Sequence, residues 1–244
     1  MTYCVAMVLD AGMIFASDSR TNAGVDHIGR FRKMRVYERV GNRLIALVSS
    51  GNLSISQNAV NLFEQRSKNQ QGSQSMFTAD TMFDVATLLG DCLRDVKRRD
   101  APHLIESNVD AGASFLIGGQ IGSEPPRLFN IYPEGNFIEA TPETPYFQIG
   151  EIKYGKPILD RVVNSHTSLT DAAKCTLVSF DSTMRSNISV GLPIDLMVYE
   201  RDTLRVGTQC SIDETDPYFK MIHTKWAEGL KKVFAELPNP SWHR

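Results

Sequence analysis

The 244-residue chain carries 26 basic and 28 acidic residues, a formal net charge of −2, with 42% hydrophobic and 22% charged residues. That is the make-up of an ordinary globular protein without the basic excess of a nucleic-acid binder. Its longest apolar runs fall far short of the roughly twenty residues a membrane-spanning helix needs, and no secretory leader is visible, so the default location is the cytoplasm.

In chain order, Tyr3 to Leu9 reads as a strand. Asp10-Ala11-Gly12 supplies a turn, and Met13 to Ser17 returns as the second arm of a hairpin. A polar stretch from Ser19 to Gly29 reads as loop. Met34 to Val40 and Leu44 to Val48 form a second strand pair about Gly41-Asn42, and Ser49-Ser50-Gly51 ends it. Helical spacing then covers Ser54 to Arg66 and, beyond a polar loop from Lys68 to Ser75, Thr81 to Arg99. Strands return at Ala113 to Gly118, Arg127 to Tyr132, Phe137 to Ala140 and Tyr146 to Ile149. A second helix pair occupies Lys156 to Asn164 and Thr170 to Arg185, the latter with Thr170 as its N-cap. Ile194 to Tyr199 and Leu204 to Val206 are the last strands, Tyr218 to Glu236 is the closing helix, and residues 238–244 form a tail.

The order is strands, two helices, strands, two helices, strands. Helices do not alternate singly with strands, which argues against a doubly wound parallel sheet. The pattern predicts an α+β fold, a four-layer αββα sandwich of two mainly antiparallel sheets in one domain. Cys4, Cys92, Cys175 and Cys210 form no CxxC pair, so neither a zinc site nor a disulfide framework is expected. The histidines His27, His103, His166, His223 and His243 are scattered without metal-ligand spacing. No metal or cofactor is expected, and no phosphate-binding GxxxxGK[ST] run is present.

The chemistry-bearing text is at the start: Thr2-Tyr3-Cys4-Val5-Ala6-Met7, then Phe15-Ala16-Ser17-Asp18-Ser19-Arg20, Phe31-Arg32-Lys33-Met34 and Ala46-Leu47-Val48-Ser49-Ser50-Gly51. It resembles the opening of proteasome β subunits, and more closely that of the bacterial proteasome-related Anbu family. The resemblance continues through Gly150-Glu151-Ile152-Lys153-Tyr154-Gly155 and Arg185-Ser186-Asn187-Ile188-Ser189-Val190, so it covers most of the chain in order.

The resemblance implies an N-terminal-nucleophile hydrolase whose nucleophile is Thr2 once Met1 is removed. Asp18 and Lys33 match the charged pair beside it, and Gly51 matches the glycine that lends a backbone N–H to the oxyanion hole. Ser186 and Ser189 fall near two distal polar positions, where Asn187 is an alternative to Ser186. Glu151 departs from the proteasome pattern, in which a serine follows the glycine matching Gly150.

The residue types suit the chemistry. A threonine hydroxyl is a weak nucleophile until a base takes its proton, and the free α-amine of the same residue, with a reference pKa of about 8, is within reach. A lysine cation nearby favours deprotonation, an aspartate keeps that cation charged and oriented, and a backbone N–H stabilises the oxyanion by about 3 kcal/mol. Each residue also has a plain structural reading: Asp18 as a turn residue, Lys33 as a surface charge, Gly51 as a turn glycine, and Cys4 as a small buried side chain.

The expected activity is a threonine peptidase. Two alternatives are a catalytically silent structural subunit, or an amidase acting on a non-peptide amide. The resemblance further implies a homo-oligomeric ring or spiral, unfolded peptides as substrates, and an unfoldase partner for energy-dependent work. The closing helix and the tail with Trp242 are the candidates for subunit contact.

Overall fold

The computed structural model describes residues 2–22, 28–68 and 75–242. In chain order the elements are β1 (Tyr3–Leu9), β2 (Gly12–Asp18), β3 (Arg20–Asn22), β4 (Ile28–Arg30), β5 (Met34–Arg39) and β6 (Arg43–Gly51). Next come α1 (Leu53–Lys68), α2 (Met82–Glu106), β7 (Ala113–Ile121), β8 (Arg127–Ile131), β9 (Phe137–Glu139) and β10 (Tyr146–Gly150). The chain closes with α3 (Lys156–Val162), α4 (Leu169–Ser186), β11 (Ile194–Glu200), β12 (Thr208–Ile212) and α5 (Pro217–Glu236).

Two five-stranded antiparallel sheets form, in the orders β10-β1-β2-β11-β12 and β5-β6-β7-β8-β9, with β3 and β4 as a separate hairpin. The expected four-layer α+β sandwich is therefore present. Strand alternation assigns each side chain to a layer. In β1, Cys4 and Ala6 join the core between the sheets, whereas Tyr3, Val5 and Met7 pack outward against α3 and α4. In β6, Leu44, Ala46 and Val48 face inward, and Ile45 and Leu47 face α1 and α2. Strands buried on both faces read as unbroken apolar runs, which is why these segments are legible as strands without polar alternation.

The helix starts have local causes. Asn52 Oδ1 accepts from Ser54 N and Ile55 N ahead of α1, at 3.0 and 3.2 Å. Thr81 and Asp84 form a capping box on α2. Ser168, and not the expected Thr170, caps α4 by accepting from Asp171 N at 3.1 Å.

Other boundaries also differ from expectation. α2 continues through Pro102 to Glu106 instead of ending at Arg99; a proline removes one helical bond, and here the helix absorbs that loss. The expected strand at Leu204 to Val206 is loop, because Asp202 and Leu204 adopt φ of 66° and 46°. The strand lies later, at β12, an edge strand whose exposed Thr-Gln-Cys-Ser carries no hydrophobic signal. The polar stretch from Ser19 to Gly29 contains β3 and β4. Met1, most of the polar loop between α1 and α2, and the last two residues of the tail lie outside the described residues. Among those described, no helix is long and apolar enough to cross a membrane.

Candidate active site

Thr2 stands immediately before β1 and is held by its backbone. Its carbonyl accepts from Glu151 N at 2.7 Å, extending the β1–β10 ladder in which Tyr3 pairs with Gly150. Gly150 has φ +87°, and a Cβ there would lie 1.9 Å from the Thr2 carbonyl oxygen. The position requires glycine on both counts. Gly150→Ala is expected to push Thr2 out of place. It would cost roughly 1–3 kcal/mol of backbone strain. Thermal melts check this; a variant with the wild-type melting temperature contradicts it.

Asp18 is the last residue of β2, fully buried. Its Oδ1 accepts from Tyr3 N at 3.1 Å and from Lys33 Nζ at 2.7 Å. Lys33, just ahead of β5, is 6% exposed, and its Nζ also donates to the Arg20 carbonyl at 2.6 Å. The lysine is thus a buried, paired cation and not a solvated surface charge. Burial pushes the Asp18 carboxyl above the ordinary aspartate range, with the Lys33 ammonium and the Tyr3 N–H opposing that rise.

Gly51 ends β6 with φ +99°, and a Cβ there would come within 2.3 Å of the Gly112 carbonyl. The N–H of Ser49 donates across to the Lys33 carbonyl at 3.2 Å. N–H groups two residues apart point to the same side of a strand, so the Gly51 N–H faces the side on which Lys33 lies.

Glu151 is 8% exposed, and its Oε2 accepts from Asn187 Nδ2 at 2.9 Å. The Ser189 N–H, donating to Asn187 Oδ1 at 2.9 Å, fixes which way that amide points. Of the distal candidates, Ser186 lies exposed in the last turn of α4, while Asn187 is buried against Glu151. Ser189 enters the arrangement through its backbone. Arg20 locks the segment after α4 onto the end of β2: its Nη1 donates to the Ile188 carbonyl at 2.8 Å, and Ser19 N donates to the Pro193 carbonyl at 3.0 Å.

The structure therefore brings Thr2, Asp18, Lys33, Glu151 and Asn187 to one end of the first sheet, with Gly51 at the adjoining end of β6. Sequence reasoning missed the carbonyl of Arg20 and the demand for glycine at 150; the only trace of the latter is a glycine closing a short apolar strand. Cys4 is buried, with its Sγ 3.4 Å from the Ser49 carbonyl, and burial pushes its thiol up and away from the reactive thiolate. No group of three His, Cys, Asp or Glu side chains able to hold a metal occurs among the described residues.

No protein-family model matches the sequence, and no curated protein matches it either. Solved structures do. Anbu (ancestral beta-subunit) from Yersinia bercovieri is 49% identical, with a TM-score of 0.93 over 99% of this chain and 100% of that one. The helical assembly of the Anbu complex from Pseudomonas aeruginosa is 47% identical, with a TM-score of 0.93 over 98% of each chain. Anbu from Hyphomicrobium sp. strain MC1 is 45% identical, with a TM-score of 0.91 over 98% of this chain and 99% of that one.

Proposed function

Because the chain belongs to the Anbu family of proteasome-like ancestral β-subunits, we propose that it is an N-terminal-nucleophile hydrolase that cleaves peptide bonds through Thr2. The observation that carries this reading is the Asp18 carboxylate. It ties the backbone N–H of Tyr3, the residue after the nucleophile, to the buried Lys33 ammonium.

After Met1 is removed, the Thr2 α-amine takes the hydroxyl proton as Oγ attacks the carbonyl carbon of the scissile amide. The oxyanion is met by the Gly51 N–H. The carbon–nitrogen bond then breaks, the α-ammonium returns the proton to the leaving amine, and an ester on Thr2 remains. Water attacks that ester, giving one proton to the α-amine, which passes it to Oγ as the acyl group leaves as a carboxylic acid. Asp18 and the Arg20 carbonyl take two of the three N–H donors of Lys33, which leaves one for the Thr2 hydroxyl. The test is digestion of an unfolded protein by the purified chain, read by mass spectrometry against a Thr2→Ala blank. Cleavage fragments equal in both samples would sink the reading.

We assign to Glu151, whose N–H donates to the Thr2 carbonyl at 2.7 Å, the charge next to the amine. A carboxylate beside an ammonium favours the protonated form and raises its pKa. Removing that charge lowers the pKa, so the amine becomes a free base at lower pH. Glu151→Gln is therefore expected to move the acid limb of the rate profile to lower pH by about one unit. An unmoved limb, measured on kcat/KM, would take Glu151 out of the amine's environment.

The reading extends to self-association in a helical array, the arrangement named for the Pseudomonas aeruginosa relative. In support, α5 leaves Leu230, Val233 and Phe234 exposed, the last at 78%; apolar surface of this kind marks an interface. Analytical ultracentrifugation showing only monomer at micromolar concentration would remove this part of the proposal.

A further inference from the structure

A cavity of about 250 Å³ opens between β5, the end of β6 and α1. It adjoins the proposed site through Lys33 and Ser49, and Leu47 and Val60 give it an apolar floor. Arg32 and Arg35 stand at it with exposed side chains, and no Asp or Glu lines it among the described residues. The three cations differ in how they are matched. Lys33 is neutralised by Asp18 at 2.7 Å. Arg35, by contrast, donates from Nη1, among the described residues, to the backbone carbonyls of Arg32 and Met34, at 3.3 and 3.2 Å. Glu64, one turn along α1 from Val60, accepts from the Tyr37 hydroxyl at 2.8 Å and does not reach the lining. Among the described residues, the cavity therefore holds two guanidinium charges with no carboxylate in its lining to meet them.

We propose that this cavity receives the substrate side chain on the acyl side of the scissile bond and selects a carboxylate, so that the chain cleaves after acidic residues. The inference rests on Thr2 as the nucleophile. An arginine fork matches a carboxylate in shape and charge, whereas a neutral amide of the same size leaves a guanidinium without its partner. The apolar floor suits the methylenes that precede a glutamate carboxylate. Both arginines are exposed, so solvent and salt weaken the attraction, and the selectivity falls as ionic strength rises.

The test uses two peptide epoxyketones that differ only in carrying Glu or Gln beside the reactive ketone. The rate at which each adds to Thr2 is followed by intact mass. The Glu probe is expected to label roughly tenfold faster at low salt, the scale of one charge-assisted hydrogen bond. Arg35→Glu, at an exposed position outside the proposed catalytic set, is expected to erase or invert that preference while still labelling with the Gln probe. Equal rates in the wild type, a faster Gln probe, or a preference that survives Arg35→Glu would each overturn the proposal. Failure of both probes to label the wild type would instead overturn the Thr2 reading, and this inference with it.

Discussion

If Thr2 is the nucleophile as proposed, Thr2→Ala is expected to give a folded protein that hydrolyses peptides about four to six orders of magnitude more slowly than the wild type. The size follows from the chemistry: without Oγ no acyl-enzyme forms, and what remains is binding plus an oxyanion hole acting on water. Folding should survive because the contact that anchors this residue, from Glu151 N to the Thr2 carbonyl, is made by backbone atoms. Alanine is also small enough for Met1 to be removed, so the two proteins differ only at the side chain. Thr2→Ser retains a hydroxyl and should retain measurable turnover. Circular dichroism and melting confirm the fold, and peptide hydrolysis reads the effect. Wild-type rates in Thr2→Ala would end the nucleophile assignment.

The second large effect is expected at Lys33. Lys33→Met removes the cation from a buried pair whose side chains are 5% and 0% exposed, and breaking such a pair typically costs about 3–5 kcal/mol at neutral pH. The loss depends on pH with a definite sign. Burial already holds the Asp18 carboxyl above its usual range, and losing the lysine raises it further. A carboxyl whose folded pKa exceeds its unfolded value stabilises the fold most below the unfolded value, and that contribution disappears as pH rises through the folded one. The stability gap between Lys33→Met and wild type should therefore be widest at neutral to alkaline pH and narrow on acidification. Asp18→Asn with Lys33→Met removes both charges and should recover most of the stability at neutral pH while remaining inactive. Denaturant melts across pH measure all three proteins. A single variant as stable as wild type at pH 7 contradicts the buried-pair description.

Much of this was legible in the residues. The apolar runs on either side of Asp10-Ala11-Gly12 announce a hairpin, and the β1–β2 pairing that follows sets Cys4 against Ser17 and leaves Asp18 level with Tyr3. That local register is what brings the Asp18 carboxylate to the N–H of Tyr3, the residue after Thr2. Lys33 is different: it reaches Asp18 from outside the first sheet, and no periodicity encodes that meeting, so only the resemblance singled it out. Ser186 and Asn187 differ by one residue at a helix end, where the last turn decides which side chain points inward, and sequence pattern does not reach that precision. β12 escaped because an exposed edge strand buries too little to leave an apolar signature, and β3 and β4 because three residues each are too few to show a period.

The most direct test is the intact mass of the purified protein before and after treatment with a peptide epoxyketone, a warhead that requires both the hydroxyl and the free amine of an N-terminal threonine. The account predicts a starting mass lacking the initiator methionine and the gain of one inhibitor equivalent, absent in Thr2→Ala. A chain that retains Met1 in full, or a processed chain that takes up no inhibitor, would contradict it.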